Sequence, residues 1–122
     1  MPAVATYYQL QDAPLPLTTS PITLTQNVTV TPAGGEGALV TWMAQRTSAA
    51  AVDFTVALNG QVLNTYSINS VGASTDPIAM QEAFPTPPVN QGNNVLTFAP
   101  LATSTGTAVI SDVMLWIRVD VT

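Results

Sequence analysis

The sequence contains no cysteine, no histidine and no lysine. These absences exclude thiol, imidazole and Schiff-base catalysis, and they leave a serine or threonine nucleophile without an ordinary base. A pair of carboxylates would suffice for a glycosidase, but Glu36 and Glu82 are expected in loops, and nothing in the sequence brings them together. The composition therefore predicts a protein that is not an enzyme.

Charged side chains are scarce as well. They make up 7% of the chain, against about 25% in an average soluble protein. Seven acidic residues outnumber two basic ones and give a net charge of −5. Phosphate backbones are bound by clustered cations, so nucleic acid is not expected as a partner. No apolar run approaches the roughly 20 residues of a membrane span, and the first residues lack the basic and apolar regions of a signal peptide.

The remaining composition indicates a folded β protein. Hydrophobic residues form 47% of the chain, which argues against disorder, and no segment of helical length shows a helical period. Apolar and polar residues instead alternate over 22–31, 38–47 and 52–68, and shorter strands are predicted near 78–84, 95–99 and 107–110, the last running into the end of the chain. The sequence therefore predicts an all-β, single-domain antiparallel sandwich of about eight strands.

The first 21 residues are expected to form an extended arm. Prolines at positions 14, 16 and 21 disfavour a helix there. The segment is more apolar than a free tail, which predicts that it is held against something through a set of apolar side chains. These predicted arm contacts are Tyr7, Tyr8, Leu10, Leu15 and Leu17. The predicted organisation is thus an arm over 1–21 and a β-sandwich domain over 22–122.

The hairpin over 52–68 turns at Asn59-Gly60. A two-residue loop would place Thr65 and Ser67 on the face of Phe54. A three-residue loop over 58–60 instead aligns three apolar residues of the first strand with three residues of the second. The aligned residues are Val52, Phe54 and Val56 with Tyr66, Asn64 and Val62. We favour the second register because it gathers more apolar surface on one side.

The final strand, ISDVMLWIRVDVT, separates into two faces. Val113, Leu115 and Ile117 belong to an apolar core face. The opposite face carries a tryptophan and an arginine where a solvated strand normally has threonine or serine, and these residue types are enriched at binding hot spots. The predicted binding or interface residues are Met114, Trp116, Arg118 and Asp120. The other tryptophan, Trp42, alternates with apolar neighbours and is expected in the core.

Three motifs resemble those of galactose-binding-like domains and carbohydrate-binding modules, which are jelly-roll β-sandwiches. They are VALNG at 56–60, GNNVLTF at 92–98 and ISDVML at 110–115. The resemblance covers about residues 38–118 and implies the fold more than the function. Calcium sites are common in that family, but no loop here clusters the oxygen ligands they need. No metal and no cofactor are expected.

Two functions remain open at this point. The favoured one is a structural assembly protein, such as a virion decoration or fibre component, that forms homo-oligomers or docks on a protein lattice. Edges without lysine, a surface poor in charge and an apolar arm favour it. The alternative is a carbohydrate-binding module or small lectin with an aromatic platform at Trp116. Light scattering separates the first from a strict monomer, and a glycan array tests the second.

Overall fold

The computed structural model describes residues 3–32, 37–68, 76–85 and 89–120. These residues form nine strands: β1 (Ala3–Gln11), β2 (Leu15–Leu17), β3 (Ile22–Val28), β4 (Ala38–Arg46), β5 (Val52–Leu58), β6 (Gln61–Ile68), β7 (Ile78–Phe84), β8 (Gly92–Pro100) and β9 (Ala108–Asp120). No helix that is long and apolar enough to cross a membrane occurs in this part of the chain.

The strands form two antiparallel sheets packed face to face. The front sheet has the order β1-β9-β4-β7, with β2 also paired to β9, and the back sheet has the order β3-β8-β5-β6. Alternate residues of most strands point between the sheets and are buried, as the period of two in the sequence requires. The predicted all-β, jelly-roll-like sandwich is confirmed, with nine strands rather than about eight.

The core is centred on aromatic rings contributed by both sheets. Trp42 of β4 is 2% exposed, and its ring lies edge-on to Phe98 of β8 and Tyr66 of β6, each with a centroid distance of 5.4 Å. Phe54 of β5 stacks on Tyr66 at 5.7 Å. Edge-to-face and stacked pairs of this kind stabilise a core beyond the area they bury. The core position expected for Trp42 agrees with this burial.

The segment expected to form an arm extends the front sheet. β1 and β2 both pair antiparallel with β9, from Ala3 opposite Asp120 to Leu17 opposite Ala108. Leu17 is fully buried, and Tyr8, Leu10 and Leu15 pack partly buried against the core. Four of the five predicted arm contacts therefore lie on the inner side of the sheet. The division into an arm over 1–21 and a domain over 22–122 stays a prediction.

The predicted register of the β5–β6 hairpin is wrong. Leu58 pairs with Gln61, so the loop has two residues, Asn59 and Gly60, both with positive φ. Phe54 nevertheless faces Tyr66, because a register shift between Thr55 and Ala57 inserts one extra residue into β6. Val62 consequently points outward and is 51% exposed. A bulge, rather than a longer loop, brings the apolar residues to one side.

β3 is shorter than its alternation predicts. The strand ends at Val28, which is fully buried, and Val30 is 40% exposed rather than part of the core face. β9 contains a second deviation from simple alternation. Ala108 and Ile110 are buried at even positions, whereas Val113 and Leu115 are buried at odd ones. A register shift against β4 between Thr41 and Met43 accounts for this change of face.

Asn94 joins the β5–β6 turn to the segment that precedes β8. Its side chain is 1% exposed. The Oδ1 atom accepts hydrogen bonds from Asn59 Nδ2 at 2.9 Å and from the Asn90 backbone N–H at 2.8 Å. The Nδ2 atom donates to the backbone oxygens of Asn90 at 2.8 Å and Gly92 at 3.0 Å. One buried amide therefore satisfies polar groups from two connections at one end of the sandwich.

Asn94→Ala should lower the free energy of unfolding by about 1–3 kcal/mol, because it leaves buried polar groups without partners. Asn93→Ala, one residue earlier and exposed, is the matched control and should change stability by less than about 0.5 kcal/mol. Urea denaturation followed by tryptophan fluorescence measures both variants. Equal losses in the two variants would contradict the role assigned to the buried amide.

Leu17→Ala should cost about 2–5 kcal/mol of unfolding free energy, because it empties a fully buried position. Tyr7→Ala, in the same N-terminal segment but on the outer face, should cost no more than about 1.5 kcal/mol. The same denaturation assay compares them. A Leu17→Ala loss no larger than the Tyr7→Ala loss would show that the N-terminal segment is dispensable for the core.

Candidate binding surface on the front sheet

The outer face of the front sheet carries two rows of side chains that cross four strands. Strand pairing places one row at Tyr7, Trp116, Leu39 and Ala83. It places the next row at Gln9, Met114, Thr41 and Gln81. We call these eight residues the platform face. Neighbouring strands lie about 4.8 Å apart, so each row extends over roughly 14 Å.

An aromatic pair occupies one side of the platform face. The ring centroids of Tyr7 and Trp116 are 5.0 Å apart, with 38° between the ring planes. Trp116 is partly exposed, and Tyr7 is 54% exposed. The indole Nε1–H of Trp116 donates to Thr41 Oγ1 at 3.1 Å, which fixes the orientation of the ring. The pair presents an apolar surface whose position is set from both neighbouring strands.

A cavity of about 300 Å³ opens over β4 and is lined by residues of β4 and of its two neighbours, β7 and β9. Its lining consists of Thr41, Trp42, Met43, Ala79, Met80, Gln81 and Asp112. Asp112 lies at the change of face in β9 and has a φ of 51°, in the left-handed region that aspartate tolerates better than most residues. Ser111 Oγ donates to its carboxylate at 3.1 Å. Thr41 belongs to both the platform face and the cavity.

The structure brings together most of the predicted interface residues. Met114 and Trp116 are partly exposed on the platform face, and Arg118 follows them in β9, exposed and opposite Ala5. Asp120 is the last residue of β9, and its side chain lies outside the described part of the chain. Tyr7, predicted only as an arm contact, covers one edge of Trp116. The grouping of these residues as a binding site remains a prediction.

The polar groups around the aromatic pair were not predicted from the sequence. Gln9, Thr41, Gln81 and Asp112 come from four strands that are distant in the sequence. Only the pairing of β9 with β1 and β4, and of β4 with β7, places them on one surface. The sole local signal was the aspartate of ISDVML, a residue type that accepts positive φ.

Glu82 lies inside strand β7 rather than in the loop expected for it. It is 6% exposed, and Asn64 Nδ2 donates to its two carboxylate oxygens at 3.3 and 3.2 Å. Glu36, the other carboxylate considered for catalysis, lies outside the described residues. Within the described ranges, no three acidic or other metal-ligating side chains come together as a metal site would require.

Tyr66 is affected by the same carboxylate. Burial raises the pKa of its phenol, and the hydrogen bond to Glu82 and the negative charge of Glu82 raise it further. A hydrogen bond with Asn64 acts in the opposite direction and lowers the pKa. The net shift is upward, so the neutral phenol is the form that suits this environment.

No protein-family model matches the sequence, and no curated protein matches it. Solved structures do match its fold. The CBM36-1 domain of a multidomain xylanase from the hindgut metagenome of Trinervitermes trinervoides is 12% identical with a TM-score of 0.58, over 98% of this chain and 100% of that domain. A family 35 carbohydrate-binding module is also among the similar structures. The carbohydrate-binding-module type of jelly roll expected from the motifs is confirmed.

Two larger proteins contain a similar domain. Latent PorU from Porphyromonas gingivalis is 6% identical with a TM-score of 0.69, over 97% of this chain but 13% of that protein. A β-porphyranase of glycoside hydrolase family 86 from Bacteroides plebeius is 14% identical with a TM-score of 0.68, over 98% of this chain and 21% of that enzyme. At these identities the likeness establishes the fold alone. None of these proteins points to a virion or lattice role.

The raised pKa of Tyr66 predicts a loss of stability at high pH. Below about pH 10, the ordinary value for tyrosine, Tyr66 is neutral in both the folded and the unfolded chain. Above it the unfolded chain releases the phenol proton while the folded protein retains it, so the free energy of unfolding decreases. Phenolate absorbance should show one of the three tyrosines titrating late, and Tyr66→Phe should remove that phase. Simultaneous titration of all three would contradict the prediction.

Proposed function

We propose that the protein is a non-catalytic carbohydrate-binding module that binds a glycan on the platform face. The observation that carries this proposal is the exposed Tyr7–Trp116 pair, with centroids 5.0 Å apart, beside a cavity that contains polar side chains. The apolar face of a sugar ring stacks on such rings, and its hydroxyl groups need hydrogen-bonding partners. The platform face offers both within one surface.

The polar side chains of this surface suit hydroxyl groups. Gln9, Thr41 and Gln81 carry uncharged donors and acceptors, and they flank Met114 or lie in its row. Binding sites for small ligands typically combine apolar and aromatic walls with a few placed polar groups. This combination is what a neutral saccharide requires, whereas a nucleic acid would require clustered cations.

The position of Glu82, one of the two carboxylates considered for catalysis, supports a binding role rather than a hydrolytic one. The sequence has no histidine, cysteine or lysine. Glu82 faces inward and is held by Asn64, away from the platform face. The similar CBM36-1 domain is one part of a multidomain xylanase, which supports a polysaccharide as the ligand class and a role in holding a catalytic partner on its substrate.

Assembly through the N-terminal segment, the function first favoured, has less support. Tyr7 of β1 contacts Trp116 of the same chain, and Leu17 of β2 is buried in the chain's own core. The apolar side chains that suggested a lashing arm are thus largely covered within one subunit. We therefore propose glycan binding as the primary function.

Trp116→Ala should weaken the binding of a glycan identified on an array by at least about tenfold in Kd, and Tyr7→Ala should weaken it less, since Tyr7 forms only the outer half of the pair. Isothermal titration calorimetry measures the affinities. Val62→Ala, an exposed apolar position on the back sheet, is the matched control and should bind as the unmodified protein does.

Circular dichroism and urea denaturation must show that the Trp116→Ala and Tyr7→Ala variants remain folded. The proposal fails if no neutral glycan binds the unmodified protein. It also fails if binding occurs and both aromatic substitutions leave Kd unchanged.

A further inference from the structure

We infer that the cavity near Trp116 is a second subsite for the glycan. One sugar ring stacks on Tyr7 and Trp116, and the neighbouring ring, which is uncharged, occupies the cavity. This inference rests on the proposed function and deepens it. It assigns a ligand class, a neutral oligosaccharide of more than one ring, and a place for the second ring. Three features of the cavity support this subsite: its connection to Trp116, its lining and its charge.

Thr41 lines the cavity and also contacts Trp116, so it connects the cavity to the inner ring of the aromatic pair. Leu39 lies opposite Trp116, and Thr41 is the next outward residue of β4. Two residues of a strand span about 6.8 Å, so the cavity begins one such step from the row of the aromatic pair. A chain of linked rings that lies along the strands therefore passes directly from the Trp116 ring to the cavity.

Thr41 also links the two subsites chemically. Its Oγ1 accepts the hydrogen bond from Trp116 Nε1. A hydroxyl group has one proton of its own to donate in addition to its acceptor sites. Among the described residues, the structure shows no acceptor for that proton, so it is available to a sugar hydroxyl at the cavity mouth. The same side chain thus positions the stacking ring and contacts the next sugar.

The cavity walls match the two sides of a sugar ring. Met43, Ala79 and Met80 provide apolar surface, while Gln81 and Asp112 provide amide and carboxylate groups. The volume of about 300 Å³ is at the lower end of the range for ligand pockets. This size suits a single ring rather than a long segment, which makes the site a side pocket for one unit of a chain.

The charge of the cavity selects an uncharged ring. Asp112 is the one acidic residue among its lining residues, the protein has no lysine, and the net charge is −5. Arg118 lies beyond Trp116 along β9, on the side away from the cavity. A uronic acid or a sulfated sugar in the cavity would meet a like charge without a compensating cation in the lining.

The backbone at Asp112 explains why its side chain lies in the cavity lining. Its positive φ lies within the irregularity that shifts the register between β9 and β4. Bulges re-aim side chains and recur next to binding sites. Here the bulge turns the carboxylate out beside the cavity, where it accepts from Ser111 and retains lone pairs for sugar hydroxyls.

The test compares three probes by calorimetry: xylohexaose and neoagarohexaose, which are neutral, and hexagalacturonic acid, which is anionic. Ala79→Leu fills the cavity from an exposed position on the edge strand β7. The substitution should raise the Kd of whichever neutral hexasaccharide binds by about tenfold or more. Ala57→Leu makes the same substitution on the outer face of the back sheet and should leave Kd within about twofold.

A second variant tests the charge selection. Asp112→Asn retains a residue type that accepts positive φ and removes the charge. It should strengthen the binding of hexagalacturonic acid by about threefold or more relative to the neutral hexasaccharide, as expected from removing one like charge near the ligand. An unchanged preference for the neutral probe would overturn the charge selection.

The outcomes separate this inference from the proposed function. If Trp116→Ala abolishes binding of a neutral hexasaccharide and Ala79→Leu leaves its Kd within about twofold, the cavity subsite is wrong and the platform stands. If the unmodified protein binds hexagalacturonic acid more tightly than both neutral probes, the charge selection is wrong. If neither the three probes nor any neutral glycan on the array binds, both the subsite and the platform are overturned.

Discussion

The pairing of β9 with strands on both of its sides is the interaction on which the rest of the structure depends. This strand of 13 residues holds β1 and β2 on one side and β4 on the other. It keeps an apolar face toward the core along its whole length only because it changes face at Ser111 and Asp112. Without that irregularity, either Ile110 or Val113 would point to solvent. The same irregularity places Asp112 in the lining of the cavity.

The pairing of β9 thus determines both the packing within the sandwich and the side chains on the platform face. The core side of β9 contributes Leu115 and Ile117 to the sandwich, and its other side contributes Met114 and Trp116 to the platform face. A strand at the interior of a sheet is restrained by hydrogen bonds on both edges. Trp116 therefore lies on a strand whose backbone is hydrogen-bonded to neighbours on both sides.

The sequence predicted the elements that depend on local pattern. Alternation indicated β4 and the two faces of β9 beyond Asp112, and Asn59-Gly60 marked the hairpin turn. It did not predict the bulge that turns Val62 outward, because an inserted residue is stabilised by contacts with partner strands. It did not bring Gln9, Thr41 and Gln81 together, because strand order is a property of the whole fold. Tyr7 was recognised as apolar and in need of cover, but its position opposite Trp116 required the register.

The aromatic pair joins an interior strand to an edge strand, and this gives the site a thermodynamic property of its own. Tyr7 lies on β1, which has a neighbour on one side only, and edge strands are where a native sheet opens first. A ligand that touches both rings binds the docked strand and not the frayed one, so its binding energy opposes fraying. By reciprocity, any change that destabilises the pairing of β1 lowers the affinity for the ligand. Under the proposed function, ligand binding and the docking of β1 are in this way a single coupled equilibrium.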